Sequence, residues 1–205
     1  MGHSAQVGSG RRIALLGNYP PRLCGIATFT FDVHAALSAA GAAVDVYAMN
    51  DTVEGYAYPA EVVCAIGQND LQDYQAAARS INDSGADVVL VQHEYGIFGG
   101  SAGAMLMKLL DRVNAPVVVT LHTVLENPDN DQRAVLDALV RRSSRVIVMA
   151  EKGRAILERV HNVAPERIAV VPHGVPDRPL SPTAGMKARF GFEEHTVLLT
   201  FGLLS

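Results

Sequence analysis

The segment Arg12-Ile-Ala-Leu-Leu-Gly-Asn18 is followed by Tyr19-Pro-Pro-Arg-Leu-Cys-Gly25 and then by Ile26-Ala-Thr-Phe-Thr-Phe-Asp-Val-His-Ala-Ala-Leu37. The first segment has the composition of an apolar strand, and the second is a loop stiffened by two prolines. The third has apolar residues at helical spacing and predicts an amphipathic helix. Gly25 opens this helix, and a glycine there lets another molecule approach the free backbone N–H groups, where negative charge is favoured. The order of strand, loop and helix indicates a nucleotide or phosphosugar site.

The rest of the chain continues the alternation of apolar strands and helical patterns. Several strands are uninterrupted Val, Ile and Leu runs, as expected when helices cover both faces of a sheet. Helices are predicted from Gly25, over residues 71–81, from a Ser101 cap, from an Asn127-Pro128 start and over residues 151–160. Predicted strands are 13–16, 43–48, 62–66, 87–92, 117–121, 145–149 and 168–171. Repeated strand–helix–strand units predict an α/β, Rossmann-like, doubly wound parallel sheet.

Ligands of such sheets bind beyond the carboxyl ends of the strands. The residues that follow strands are therefore the candidate site: segments 18–25, 93–100 and 122–126, and the pair His173-Gly174.

The domain organisation follows from changes in composition. Residues 1–11 are small and polar and predict a disordered leader, and residues 12–173 form the sheet domain. Residues 174–186 are rich in proline and glycine and predict a linker. A new strand is predicted over 196–202, and because a lone strand cannot bury itself, it either joins the first domain or begins a second one. The second possibility is favoured, so residues 187–205 are predicted to be the start of a truncated second domain.

Composition excludes several classes of protein. With 49% hydrophobic and 19% charged residues the chain is globular, and a net charge of -4 argues against a dedicated nucleic-acid binder. Arg141, Arg142 and Arg145 form either a local basic patch or the solvated end of a helix. Cys24 and Cys64 lie far apart and fit no disulfide or metal spacing, which favours a cytoplasmic location. No apolar run is long enough to span a bilayer, and peripheral attachment to a membrane surface stays open.

The glycine loop does not have the dinucleotide fingerprint. G-x-G-x-x-G is absent after the first strand, and Asn50-Asp51 after the second strand matches only in part. Gly25 is either a plain helix-start glycine or a close-approach position. Arg22 is either a ligand for a phosphate or carboxylate or a solvated loop residue.

Two histidines directly follow buried strands. His93 and His122 either hydrogen-bond to a substrate hydroxyl or are structural residues bonded to nearby backbone. A metal shared by them lacks a third ligand, and Asp129-Asn-Asp131 is explained more simply as first-turn acids of a helix than as a metal motif. No serine or cysteine has the setting of a nucleophile.

Together these segments resemble the N-terminal half of family-4-type (group 1) retaining glycosyltransferases of the GT-B fold. The resemblance rests on the Tyr19-Pro-Pro…Gly25 loop and on the strand ends at Val88–Glu94 and Thr120–Thr123. It also rests on Arg145–Met149 and on Val170–Val175 with the linker that follows. It covers nearly the whole chain after Arg11, with the segments in the right order.

The resemblance implies a role for each matching position. Gly25, with Cys24 and Arg22, would line the region of the donor's phosphates, and His122 would be the catalytic residue beside the transferred sugar. His173 and Gly174 would face the cleft between domains. The acceptor-binding residues would be His93, Glu94, Tyr95 and Glu126.

The implied enzyme transfers a hexose from a nucleotide diphosphate sugar to a carbohydrate or other hydroxyl acceptor, with no metal or further cofactor. The chain alone would be inactive, because the donor domain is expected downstream. Two departures from the family pattern are Cys24 in place of a glycine and Gly202-Leu203-Leu204 in place of Gly-Arg-Leu. A nucleotide-sugar epimerase of the same fold and a non-catalytic flavodoxin-like binding domain remain as alternatives.

Overall fold

The computed structural model describes residues 10–175, 179 and 181–200, and within them seven parallel strands form one sheet. The strands are β1 (Arg12–Gly17), β2 (Ala43–Asn50), β3 (Val62–Gly67), β4 (Val88–His93), β5 (Val117–Leu121), β6 (Arg145–Val148) and β7 (Ile168–Val170). Each of the seven strands predicted for residues 12–173 is confirmed to within about two residues, because uninterrupted runs of β-branched residues are a strong local signal.

The strands lie in the order β3-β2-β1-β4-β5-β6-β7. The helices are α1 (Gly25–Ala39), α2 (Leu71–Ser84), α3 (Met105–Leu110), α4 (Asn130–Arg142), α5 (Glu151–His161) and α6 (Thr183–Phe190). The chain moves outward from β1 to β3, returns to place β4 beside β1, and then continues outward to β7. The doubly wound prediction is therefore confirmed, and the direction reverses between β1 and β4, where such sheets bind ligands.

The two faces of the sheet are covered differently. On one face, buried residues of β4, β5 and β6 pack with α2, α3, α4 and α5 into the main core. On the other face a small cluster around Leu15 and Val46 packs against Val33 of α1. Leu90 and Val118 continue this second face and are half-buried. Within residues 10–173, α1 is the helix that packs against this cluster.

Two predicted helix starts are wrong. The N-cap of α4 is Asp129 and not Asn127, because Asp129 accepts from the N–H of Gln132 while the Gln132 side chain accepts from the N–H of Asp129. This reciprocal capping box satisfies two backbone donors at once. Ser101 does not cap α3, which begins at Met105, because its hydroxyl donates to Asp131 instead.

The chain divides into two compact units, residues 1–173 and 174–205. In the second unit α6 ends at Gly191, which has a left-handed φ of 70°. A strand is predicted over 196–202, but residues 196–200 form no strand in the structure. Residues 201 and 202 of the predicted strand lie outside the described residues. The predicted leader also lies almost entirely outside them. Among the described helices, none has the length and hydropathy needed to span a bilayer.

Candidate functional site

The start of α1 is open to an approaching molecule. A Cβ placed on Gly25 meets no atom within 4 Å, and Gly25 does not have a positive φ. The N–H groups of Gly25 and Ile26 make no hydrogen bond to any described residue, and the first turn holds no acidic side chain. Folding therefore does not require a glycine here. Two free N–H groups at the positive end of a 15-residue helix favour an anion.

Cys24 is turned into the helix and caps it. Its Sγ accepts from the N–H of Ala27 at 3.3 Å and lies 3.3 Å from Nδ2 of the buried Asn18, which donates to it. A thiol is an unusual cap, and it is held here by a second donor. The side chain that replaces the family's glycine is thus accommodated within the loop. Its predicted contact with the donor's phosphates stays a prediction.

Arg22 already has protein partners. Its guanidinium lies 3.0 Å from a carboxylate oxygen of Asp51 and donates to Oδ1 of Asn18 at 3.0 Å. Tyr56 donates to the other oxygen of Asp51 at 2.8 Å. The loop after β1 and the loop after β2 are therefore joined by an ion pair. A phosphate that binds Arg22 would compete with Asp51, and this role stays a prediction.

His122 lies at the end of β5 with its ring held on two sides. Its Nε2 is 3.0 Å from Oε1 of Gln92, and the ring of Phe29 contacts it edge-on with the centroids 4.7 Å apart. Burial lowers its pKa, with a smaller opposing effect from Glu94 and a lowering effect from His173. A neutral imidazole carries one donor and one acceptor, which suits recognition of a hydroxyl.

His93 is placed differently from His122. Its ring is completely buried, stacked on Phe98 and edge-on to Tyr95, and neither ring nitrogen has a hydrogen-bond partner among the described residues. Burial, with a smaller effect of His122, lowers its pKa from 6.5 to about 3. Burial also raises the pKa of Tyr95 to about 12, and its hydroxyl lacks a partner in the described part of the chain. Contact of either side chain with an acceptor stays a prediction.

The buried neutral His93 makes stability depend on pH. Because the unfolded chain takes up a proton near pH 6.5 and the folded chain does so only near pH 3, the free energy of unfolding falls as the pH drops through this window. Between about pH 7 and about pH 5 we expect a loss of about 2 kcal/mol from this group. Denaturant unfolding at a series of pH values should show that His93→Phe reduces this pH dependence. If the free energy of unfolding depended on pH equally in the wild type and in His93→Phe, this would contradict the burial of a neutral His93 ring.

Two predicted acceptor ligands have carboxylates engaged in the protein. Glu94 accepts from the Thr123 hydroxyl and from the N–H of Tyr95, so it joins the loops after β4 and β5. Glu126 pairs with Arg159 of α5. His173 contacts Phe29 with ring centroids 5.0 Å apart. The roles of Glu94 and Glu126 in acceptor binding, and of His173 and Gly174 in a cleft between domains, stay predictions.

Two arginines of the basic segment, Arg142 and Arg145, bind backbone carbonyls. Arg142 donates to Leu110 and Val113 at 2.8 and 2.7 Å, and Arg145 donates to Glu166. These contacts hold neighbouring elements together, which neither interpretation of the segment from its sequence included. Among the described residues, no group of three His, Cys, Asp or Glu side chains is placed to share a metal ion.

Sequence reasoning missed Gln92 and Phe29 as neighbours of His122. Phe29 is one of the apolar residues of the predicted first helix, and Gln92 lies inside a predicted strand. The available signal was a lone amide at the end of the apolar run Val88–Val91. In a buried strand such a group needs a partner.

Comparison with known proteins identifies a family match. The sequence model described as Glycosyltransferase Family 4 matches residues 24–178. No curated protein sequence matches the chain.

Solved structures with the same fold are glycosyltransferases. A glycosyltransferase from Rickettsia africae ESF-5 aligns with a TM-score of 0.60 at 15% identity, over 89% of this chain and 50% of that one. An alpha-glucosyltransferase in complex with UDP and a 13-mer DNA containing a HMU base aligns with a TM-score of 0.54 at 15% identity, over 76% and 41%. An alpha-glucosyltransferase in complex with UDP and a 13-mer DNA containing a central A:G mismatch aligns with a TM-score of 0.52 at 17% identity, over 69% of this chain and 38% of that one. The chain thus spans half or less of each of these proteins.

Proposed function

Because the chain belongs to glycosyltransferase family 4, we propose that it forms the acceptor-side domain of a retaining GT-B enzyme that transfers a hexose from a nucleotide diphosphate sugar to a hydroxyl acceptor. Because the chain spans half or less of the solved glycosyltransferases it aligns with, the proposal applies to a two-domain protein in which a donor domain accompanies this one. Alpha-glucosyltransferases of the same fold have been solved with UDP, which supports a nucleotide diphosphate as the donor's leaving group.

The open start of α1 is the observation that carries this proposal. The fold does not need a glycine at position 25, yet a glycine there keeps the free N–H groups of the helix accessible. These groups would stabilise the negative charge that develops on the departing diphosphate. Gly25 also lies beside the reversal between β1 and β4, where the fold concentrates its binding sites.

In the proposed reaction the bond from the anomeric carbon to the diphosphate breaks, and a bond to the acceptor oxygen forms. The acceptor's proton leaves with the diphosphate. His122 holds a sugar hydroxyl through a ring nitrogen, because its lowered pKa keeps the imidazole neutral. The protein contributes position and fixed dipoles, which are effective where water is excluded.

Substitution of Gly25 tests the proposal in the two-domain protein. Gly25→Val should weaken UDP binding and slow transfer by about tenfold or more, because the side chain occupies the approach to the helix N–H groups. The melting temperature should fall no further than that of the control Ala36→Val, since a Cβ at position 25 meets no atom within 4 Å. Ala36→Val, on the exposed surface of the same helix, is the matched control for the effect of a β-branched residue.

If Gly25→Val had the same UDP affinity and turnover as the wild type, Gly25 would only be the first residue of the helix, and the start of α1 would not be the site of the donor's diphosphate. Product analysis separates the epimerase alternative, since an epimerase alters the nucleotide sugar when no acceptor is present. A transferase releases the nucleotide diphosphate at a rate that depends on the acceptor.

A further inference from the structure

Gln92 is the next-to-last residue of β4, and its amide contacts the ring of His122. The distance from Oε1 of Gln92 to Nε2 of His122 is 3.0 Å. Gln92 is only 1% exposed, and its own Nε2 has no partner among the residues that the structure describes. The contact with His122 therefore satisfies the oxygen of this buried amide.

The Gln92 side chain also packs against the end of β1. A Cβ placed on Gly17 would lie 3.0 Å from Cβ of Gln92 and 3.1 Å from Oγ1 of Thr30, so the end of β1 packs closely against the stem of the amide. Phe29 makes a T-shaped contact with the His122 ring. The imidazole thus has two side-chain contacts, one with the amide of Gln92 and one with the ring of Phe29.

A neutral imidazole has one protonated and one unprotonated nitrogen, and the hydrogen bond made by one nitrogen sets the state of the other. Nδ1 of His122 makes no hydrogen bond to any described residue. We propose that Gln92 is a positioning residue that accepts a hydrogen bond from Nε2–H of His122 and so leaves Nδ1 as the acceptor presented to a sugar hydroxyl. The link to the sugar rests on the function proposed above, whereas the tautomer does not.

The charged and titratable groups around the ring are few. Glu94 follows β4, His93 ends β4, and His173 follows β7. Of these, Glu94 is the carboxylate, and it is already bonded to Thr123 and to the backbone of Tyr95. Among these groups and Gln92, it is Gln92 that directly contacts a ring nitrogen of His122, and it can therefore determine which of the two nitrogens carries the proton.

Nitrogen NMR of the histidine-labelled chain tests the tautomer without any activity measurement. In the wild type, Nε2 of His122 should be protonated and its proton protected from solvent. Gln92→Leu should speed exchange of this proton by at least about tenfold, because its acceptor is lost. Gln92→Glu should keep Nε2 protonated, since a carboxylate can only accept, and should raise the pKa of His122.

Thr120→Val is the matched control, because Thr120 lies opposite Gln92 in the register of β4 and β5, is buried and makes no contact with the ring nitrogens. It should leave the exchange rate unchanged. Protonation of His122 at Nδ1 in the wild type, or unchanged exchange in Gln92→Leu, would overturn the proposal.

Kinetics of the two-domain protein separate this proposal from the proposed function. Gln92→Leu should lower kcat about tenfold with a smaller change in KM, as when the partner that orients a ligating histidine is removed. Gln92→Glu should recover part of kcat. If the NMR result holds while the Gln92 variants keep full kcat, the tautomer stands, and the Nδ1–sugar contact is overturned. If the tautomer prediction fails while Gly25→Val still loses UDP binding, the role of Gln92 is wrong and the donor site stands.

Discussion

Replacing Gly99 by alanine is expected to lower the free energy of unfolding by about 3 kcal/mol and the melting temperature by roughly 10 °C. A Cβ at this position would lie 2.0 Å from the backbone oxygen of Gln68 and 2.8 Å from Sδ of Met105. The loop cannot retreat easily, because the N–H of Gly99 donates to the Tyr74 hydroxyl, which itself donates to Gln68, both at 2.9 Å. Thermal and denaturant unfolding measure the effect.

Gly96→Ala is the matched control in the same loop. Its Cβ would meet no atom within 4 Å, and Gly96 does not have a positive φ. The variant should melt within a degree or two of the wild type, about the range of a neutral surface substitution. Equal melting temperatures for the Gly99 and Gly96 variants would mean that the loop repacks at little cost.

Replacing His122 by alanine is expected to reduce transfer by the two-domain protein about 10²-fold, the loss typical of a group that hydrogen-bonds the reacting centre. The reduction should be mainly in kcat if the bond strengthens in the transition state. Initial rates at saturating donor, together with the measured UDP affinity, distinguish a lower kcat from weaker donor binding.

His34→Ala is the control for losing an imidazole, since His34 lies on α1 and contacts Tyr19 and not the strand ends of β4 and β5. It should keep nearly full activity. A His122→Ala enzyme with wild-type kcat and KM would show that the ring has a structural role, in contact with Gln92 and Phe29.

Local signals predicted the strands well and the side-chain partners poorly. The seven strands follow from apolar runs that can be recognised from a few neighbouring residues. Arg22 pairs with Asp51, and Glu126 pairs with Arg159, and in both pairs the two residues are distant in sequence. Nothing near Arg22 in the sequence shows that its guanidinium is already paired.

The two wrong helix starts have a similar explanation. Asn127-Pro128 and Ser101 have the composition of caps, but side-chain partners determine which residue acts as one. Gln132 completes a capping box with Asp129, and Asp131 takes the hydroxyl of Ser101. A start signal is therefore reliable only when the residue three positions later is examined with it.

The sequence by itself determined the parallel, doubly wound sheet and the place of the glycine loop, since both rest on periodicity and on which residues follow a strand. Tertiary structure decided the state of each polar group around that loop. It left Gly25 open, paired Arg22 with Asp51, buried His93 and set Gln92 against His122. The reason is that a buried polar group must find its partner wherever the fold brings one, and such partners come from strands and loops far apart in the chain.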